Sequence, residues 1–409
     1  MKSLRPYIRN AELPAFFAVV SVAGFLMRWL SFGFESMDYT YFLSRWYEEV
    51  EALGGFPAVG TVVGNYTPAY MLLMAAMTYL PLPPLYAIKL VSVAADYLLA
   101  VYVGLLVRRL SGSDVTGLTT YTAALFLPAV FLNSAVWGQC DSIYVAFLVM
   151  CLYYLMQERS VASMVCFGAA FAFKLQSVFF LPVVILAALK GKIRWWSPAA
   201  AVLVFFASGL PAILAGMSFA DAYGVYIQQA GQYSELSLNA PNFYIVLDRM
   251  VSAAACDAGF AASLVCFAFG AVGCTMLPLY RKRYDTGDDR LWLTMAAFFA
   301  AFMPYVLPHM HERYWYLSDI LALVLLFVFP KRWYMSLAVM LPSLYAVCCY
   351  LFGSDRGKLP LMALLMLAGI CLLGLQLLRL VRAAKPLPDP PIPDTEARNT
   401  QDPNTGEPI

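Results

Sequence analysis

The sequence predicts an all-α polytopic membrane protein, and two observations support this prediction. First, 62% of the 409 residues are hydrophobic and 13% are charged, against about 45–50% and about 25% in soluble domains. Second, apolar stretches recur from Leu13 to Leu380, and a helix needs about 20 apolar residues to cross a hydrocarbon core of about 30 Å. These long runs lack the alternation of barrel strands, so they indicate a helical bundle.

Twelve membrane-spanning helices are predicted from the apolar stretches. They cover residues 13–32, 85–107, 116–134, 141–157, 159–173, 175–189, 196–215, 253–279, 291–308, 314–330, 334–352 and 359–381.

A further apolar segment, residues 67–80, is short and ends in a proline-rich run. Fourteen residues of helix reach only about 21 Å. If the segment stays on one side of the membrane, most of the 27 Lys and Arg residues fall on the opposite side, the predicted cytoplasm. If it crossed, every later loop would change sides and this bias would be lost. We therefore expect it to be interfacial or re-entrant, and both termini to be cytoplasmic.

This topology predicts one transmembrane domain, residues 1–382, and a cytoplasmic tail, residues 383–409. The tail is rich in Pro, Asp and Asn and lacks apolar periodicity, so it is expected to be disordered. Two long outer loops, 33–84 and 216–252, are expected to form the cavity of a site, because loops of such length are usually functional.

The first outer loop is predicted to contain an amphipathic surface helix between Thr40 and Leu53. In this segment Phe42, Trp46 and Val50 recur at a spacing of four residues, and glutamates occupy the other side.

Composition says little about soluble partners. The formal charge of +2 does not suggest nucleic acid, and the nine cysteines form no CxxC or Cys/His spacing typical of metal sites. Buried free thiols are the simpler interpretation. The first apolar stretch is too long for the core of a cleavable signal and is predicted to remain as a span. Membrane lipids are the expected surroundings, and the oligomeric state is not indicated.

Asp38 is the first candidate functional residue. It lies just beyond the first predicted span, near the outer face of the membrane, where a carboxylate could act as a base on a lipid head group. A lone acid in a loop is more often simply solvated, so the hypothesis depends on the residues around it.

The second candidate is the segment from Pro308 to Tyr314, which contains both histidines of the protein, His309 and His311, followed by Arg313. A His-x-His pair suggests zinc, but a structural zinc site usually needs four ligands and no cysteine adjoins this pair. A polar cap on a helix hairpin is a second interpretation. A third is an anion site, because imidazole and guanidinium donors together can hold a phosphate.

Polar residues inside the apolar stretches form a third group. Lys89 and Asp96 share one predicted helix face, and their pairing could serve either the fold or the function. Asp141 and Lys174 lie between predicted spans on the outer side. Ionisable groups at membrane depth are costly, so each suggests a function and a partner.

Taken in order along the chain, these segments resemble those of the GT-C glycosyltransferases. The resemblance is closest to the bacterial mannosyltransferases related to the GPI mannosyltransferases, with a more distant likeness to the glucosyltransferases of lipid-linked N-glycan precursor assembly. It covers residues 28 to about 330. It depends on Asp38, Asn65-Tyr66-Thr67-Pro68, Lys89 with Asp96, Trp137-Gly138-Gln139 with Asp141, Lys174-Leu175-Gln176, residues 237–242 and His309-Met310-His311-Glu312-Arg313.

The resemblance implies a GT-C-like bundle that transfers a hexose, mannose or glucose, from a polyprenyl-phosphate sugar to a glycan or lipid acceptor. Asp38 would be the general base. The residues expected to bind the donor phosphate are His309, His311, Arg313, Lys174 and Lys89. Those expected to bind substrate are Glu35, Asn65, Tyr66, Gln139, Asp141, Gln176, Asn239, Asn242 and Glu312. Better-known relatives often have a DxD-like pair in the first loop, but here the neighbouring acid is Glu35, three residues before Asp38, so no metal is expected.

General chemistry leads to the same hypothesis. Nucleotide sugars are not expected outside the cytoplasmic membrane, so an outward-facing site needs a donor that arrives through the lipid phase. Two other classes remain open. A transporter or flippase would suit twelve spans, although transporters usually place polar residues at the midplane and here most of them lie toward one face. A non-catalytic subunit of the same fold is the other alternative.

Overall fold

The computed structural model describes residues 12–230, 235–247 and 258–386, and these ranges are mostly helical. The helices are α1 (Glu12–Leu30), α2 (Ser44–Ala52), α3 (Pro68–Met77), α4 (Pro84–Ser111), α5 (Asp114–Leu125), α6 (Pro128–Phe131), α7 (Asp141–Met156), α8 (Ser160–Phe173), α9 (Leu181–Leu189), α10 (Pro198–Leu214), α11 (Phe219–Ala230), α12 (Tyr244–Leu247), α13 (Ala258–Arg281), α14 (Asp289–Val306), α15 (Tyr316–Val328), α16 (Trp333–Phe352) and α17 (Leu359–Ala383).

The all-α membrane architecture is confirmed, but the count of twelve spans is not. Within the described residues every predicted apolar stretch is helical. By length and composition, five helices in the described part of the chain could cross a membrane, or six if α5 and the bent segment Pro128–Trp137 form one span. Several others, such as α7 and α9, are shorter because turns interrupt the apolar runs. The start of the predicted span 253–279 lies outside the described residues.

The helices are interrupted where polar side chains enter the bundle. After α6 the chain forms a π-helical turn, Leu132–Trp137, and between α8 and α9 it forms a 3-10 turn, Leu175–Phe180. Gly138 adopts a φ of +80°, which glycine tolerates because it lacks a Cβ. Irregular backbone at membrane depth is tolerated where protein covers it. The turns therefore place polar groups at one end of the bundle.

The amphipathic helix of the first loop is present, but its buried face differs from the prediction. The buried residues are Leu43, Tyr47 and Val50, whereas Phe42 is 48% exposed. These three residues have the spacing of one face of a regular α-helix, and this face is buried because it packs against Tyr70 and Met74 of α3.

The short apolar segment forms α3, whose ten residues extend about 15 Å. Tyr70, Met74 and Ala75 are buried in it, and the Tyr47 hydroxyl donates to the carbonyl of Met77 at 3.1 Å. This helix is therefore too short to cross a bilayer and packs inside the protein, under the first loop.

Lys89 and Asp96 do not pair with each other, although both are buried in α4. Asp96 accepts hydrogen bonds from Arg28 at 2.8 Å and Ser134 at 2.5 Å, and also from Ser142. The buried ion pair of Arg28 and Asp96 joins α1 to α4. The two serine hydroxyls connect the same carboxylate to the π-helical turn and to α7. The helical spacing correctly placed Lys89 and Asp96 on one helix, but each has its partners on other elements.

Lys89 instead holds the chain that follows α1. Its Nζ donates to the carbonyls of Phe32 at 3.0 Å and Phe34 at 2.6 Å, both beyond Leu30, the last residue of α1. This contact fixes the direction in which the chain leaves α1 and approaches Asp38.

The predicted tail begins as ordered chain. The Asp285 amide donates to the Lys385 carbonyl at 2.9 Å, and Tyr284 bridges Pro386. Residues 387–409, the rest of that prediction, lie outside the described residues.

Candidate active site

Asp38 accepts four hydrogen bonds at one end of the bundle. Its Oδ2 accepts from Trp137 Nε1 at 2.9 Å, from Gln139 Nε2 at 2.5 Å and from Arg313 Nη1 at 3.2 Å. Its Oδ1 accepts from the Tyr350 hydroxyl at 2.5 Å. The side chain of Asp38 is 15% exposed, so these donors orient a largely buried carboxylate.

The local chain explains how the first loop meets Trp137. The Ser36 hydroxyl donates to the Trp137 carbonyl at 2.6 Å and accepts from the Tyr39 amide at 3.2 Å. Ser36 therefore connects the start of the π-helical turn in the first loop, Tyr39–Leu43, to the turn before α7. Asp38 lies between Ser36 and Tyr39 in the sequence, so these contacts hold it close to Trp137.

Asp141 forms a second buried carboxylate site at the first residue of α7. It pairs with Lys174, and it accepts a hydrogen bond from Asn133 Nδ2 at 2.7 Å. Arg313 Nε lies 3.9 Å from its Oδ2. A carboxylate in the first turn also interacts favourably with the helix dipole.

Arg313 lies between the two carboxylates. Burial opposes its charge, but Asp38 and Asp141 more than offset this effect, and the pKa of Arg313 lies well above its ordinary range. Its guanidinium carbon lies 5.4 Å from the centre of the Trp137 ring. Among the described residues, its buried Nε has no hydrogen-bond acceptor. Arg313 therefore carries a fixed positive charge with one donor available.

The two histidines occupy different environments. Burial, followed by the charges of Arg313 and Lys174, lowers the pKa of His311 to about 2. His311 is therefore a neutral imidazole at neutral pH, which can meet the predicted donor phosphate through a hydrogen bond from its ring but not through charge. His309 has a positive φ of 61°, and its Nδ1 lies 2.8 Å from the Glu235 carbonyl oxygen.

Glu312 is a third carboxyl group of the site, only 1% exposed. Burial raises its pKa to about 7, partly opposed by Arg313 and by a hydrogen bond with Asn239. Its Oε1 lies 3.9 Å from His311 Nδ1 and has no hydrogen-bond partner among the described residues.

The described part of the second long loop packs onto the histidine segment. Strand β1 (Ser237–Leu238) pairs in parallel with β2 (Met310–His311), and Asn239 bridges His311. Asn242 stabilises the backbone of this loop, because its Oδ1 accepts hydrogen bonds from the amides of Tyr244 and Ile245. Residues 231–234 and 248–252 of this predicted loop lie outside the described residues.

The remaining predicted residues do not contact Asp38 directly in the described chain, and their own contacts differ. The Tyr66 hydroxyl donates to Gln139 Oε1 at 3.2 Å, which links it to Asp38 through Gln139. The Asn65 carbonyl accepts from Gln229 Nε2 at 2.6 Å. Gln176 has a buried Oε1 without a hydrogen-bond partner in the described chain, and Glu35 is exposed.

The structure thus joins only part of the predicted set. The residues that meet around Asp38 and Asp141 are Tyr66, Gln139, Lys174, His311, Glu312 and Arg313, with Asn239 against Glu312. Lys89 and Asn242 hold backbone instead. Tyr350 was missed, because it lies in an apolar stretch and its only sequence signal is a hydroxyl near the end of a predicted span.

In the described residues no group of three or more His, Cys, Asp or Glu side chains could hold a metal ion.

A helical membrane bundle with this cluster of carboxylates and cations at one end fits the GT-C class of glycosyltransferases. The model of glycosyltransferase family 87 matches residues 65–308, more than half of the chain. The chain belongs to this family and is a membrane glycosyltransferase. No curated protein matches it. Asp38, Arg313 and Tyr350 lie outside the matched range, whereas Gln139, Asp141 and Lys174 lie inside it.

Proposed function

We propose that this glycosyltransferase transfers a hexose, mannose or glucose, from a polyprenyl-phosphate sugar to a lipid-linked glycan, a glycolipid or another extracytoplasmic acceptor. The observation that carries the proposal is Asp38, a largely buried carboxylate at the end of a membrane bundle, with Arg313 Nη1 3.2 Å away. A base beside a fixed cation suits a reaction in which a proton is removed and a phosphate leaves. A site among membrane helices suits a donor carried by lipid.

In the proposed reaction Asp38 takes the proton of the acceptor hydroxyl as that oxygen attacks the anomeric carbon. The bond between the anomeric carbon and the phosphate oxygen breaks, and its electron pair leaves with the polyprenyl phosphate. One displacement inverts the anomeric configuration. Metal is not required in this scheme, because protein cations balance the phosphate.

Arg313 is the residue we propose for the donor phosphate. Before reaction its charge is offset by Asp38 and Asp141. When Asp38 gains the proton it loses its negative charge, while the leaving phosphate gains one. The charge of Arg313 is then free to balance the phosphate, so the buried site keeps its net charge through the step. Its Nε, without an acceptor in the described chain, is available as a donor.

The other predicted residues have supporting roles in this proposal. Lys174 holds Asp141, which in turn orients Arg313. Neutral His311 can donate a hydrogen bond to phosphate or sugar oxygens. His309, two residues before it, is the other proposed ligand of the donor phosphate. The amides of Gln176, Asn65 and Asn239 are the candidates for sugar hydroxyls. The protein is proposed to lie in the cytoplasmic membrane, with this site on the outer side and both termini inside.

Replacing Asp38 tests the proposal. Full-length protein in proteoliposomes would receive a labelled polyprenyl-phosphate mannose or glucose and a lipid extract from the producing cells as acceptor. We expect label transfer from one of these donors, and a fall of about 10²–10⁴-fold in turnover for Asp38→Asn, the usual contribution of a general base. Glu49→Gln, an exposed acid on α2, is the matched control and should transfer normally.

Two results would contradict the proposal. Near-normal turnover of Asp38→Asn would rule out Asp38 as the base. Absence of transfer from both donors, with folded protein and the complete lipid extract, would contradict transfer of either sugar to a lipid acceptor.

A further inference from the structure

Tyr350 is placed at the site by the end of α16. Gly353 follows the helix with a φ of +66°, a left-handed conformation that commonly ends helices. Tyr350 is therefore in the last turn, where its ring stacks on Trp137 with centroids 4.8 Å apart and planes 22° apart. The stack holds the ring while its hydroxyl donates to Asp38 Oδ1 at 2.5 Å.

The two oxygens of Asp38 are used unequally. Oδ2 accepts from Trp137, Gln139 and Arg313, which is more donors than the two lone pairs of a carboxylate oxygen accept in good geometry. In the described chain Oδ1 accepts from Tyr350 alone. One lone pair of Oδ1 is therefore left for an incoming hydroxyl, and Oδ1 is the oxygen that can act as base.

We propose that Tyr350 is a positioning residue for transfer, which aims Oδ1 of Asp38 at the acceptor hydroxyl. This inference rests on the proposed function, in which Asp38 is the base. The Tyr350 hydroxyl holds one lone pair of Oδ1, so the other has a fixed direction in which the acceptor proton can be received. Because the ring is stacked on Trp137, the hydroxyl keeps this position when substrate enters.

A different role would have the opposite effect. If the Tyr350 hydroxyl merely occupied the place of the acceptor hydroxyl, the acceptor would have to displace it, and removing it would speed the reaction. The stack on Trp137 argues for the positioning role, since displacement of the hydroxyl would require the stack to break.

Tyr350→Phe keeps the ring and removes only the hydroxyl. In the transfer assay above, we expect turnover to fall about tenfold to a hundredfold, the range for the loss of one hydrogen bond to a charged group. The KM for the polyprenyl-phosphate sugar that supports transfer, and the unfolding temperature in detergent, should stay close to those of the parent protein. Tyr345→Phe is the matched control. It lies on the same helix and loses a hydroxyl that donates to the Asp355 carbonyl at 2.7 Å, and its turnover should be unchanged.

A double mutant distinguishes positioning from a general structural effect. If Tyr350 acts through Asp38, Asp38→Asn with Tyr350→Phe should transfer no more slowly than Asp38→Asn alone, because residues that act as a unit are not additive. Additive losses would overturn the inference, as would parent-like or faster turnover of Tyr350→Phe or a loss that follows the unfolding temperature. In each of these cases the proposed function stands if turnover of Asp38→Asn falls as expected. If turnover of Asp38→Asn is near normal, both fail.

Discussion

Charged side chains alternate in sign across the site. Asp38 contacts Arg313, Arg313 lies 3.9 Å from Asp141, and Asp141 pairs with Lys174. Each buried charge is thus compensated, as burial requires. Glu312 is the exception, because its raised pKa shows that burial disfavours its charge more than Arg313 stabilises it.

The raised pKa of Glu312 predicts how the stability of the protein depends on pH. In the folded protein it is raised from 4.5 to about 7, so the folded state holds the proton more tightly than the unfolded chain. Below pH 4.5 both states are protonated and there is no penalty. Stability is then lost as the pH rises toward 7, up to on the order of 3 kcal/mol above pH 7.

Glu312→Gln removes this titration while preserving the shape of the side chain. We expect its unfolding temperature in detergent to exceed that of the parent protein at pH 8 and to match it at pH 4.5. Glu49→Gln, which alters an exposed acid, should show no such pH dependence. An equal shift for Glu312→Gln at both pH values would contradict the assignment.

At the level of elements, close helix packing depends on small residues. A Cβ added to Gly168 of α8 would lie 2.4 Å from the Ala201 carbonyl oxygen and 2.7 Å from its Cα, both in the backbone of α10. Small residues allow helices in membranes to approach in this way. Because Lys174 directly follows α8, this packing also sets the position of the cation that holds Asp141.

Gly168→Ala is expected to destabilise the protein by about 1–3 kcal/mol, the usual cost of overpacking, because α8 and α10 must separate. The unfolding temperature in detergent measures this effect. Gly270→Ala is the control: a Cβ there would meet no atom within 4 Å, and Ala favours helices over Gly. If Gly168→Ala were as stable as Gly270→Ala, the packing argument would be wrong.

At the scale of the whole molecule, one end of the bundle collects residues from distant parts of the chain. The donors to Asp38 come from residues 137–139, Arg313 and Tyr350. Residues 235–247 close over the same end by pairing with β2. For the proposed function this end must face away from the cytoplasm.

The orientation can be tested with reporters fused to the full chain. A fluorescent protein that folds only in the cytoplasm should fluoresce at the C-terminus and within the loop at Lys331, and should stay dark when inserted beside Glu49. A phosphatase active only outside the cytoplasm should give the opposite pattern. A dark fusion at the C-terminus would reject the predicted topology.

Periodicity and composition were sufficient to predict the helical class, the helical stretches and the order of the polar segments. The buried face of α2 could not be predicted, because both candidate faces have helical spacing and only the contact with α3 selects the one that is buried. The span count could not be predicted either. Helices break at Gly138 and Lys174, which shortens the predicted spans. Such breaks are tolerated where neighbouring helices cover the irregular backbone, and this packing is not visible in the sequence.

For the site, the residue types and their approximate grouping came from the sequence, because ionisable residues in apolar stretches are conspicuous. Their partners required the folded chain. Asp96 pairs with Arg28, 68 positions away, rather than with Lys89, and Tyr350 reaches Asp38 across 312 positions. Local spacing describes one helix face, whereas the packing of several helices determines which buried charges meet, and which hydroxyl lies against Asp38.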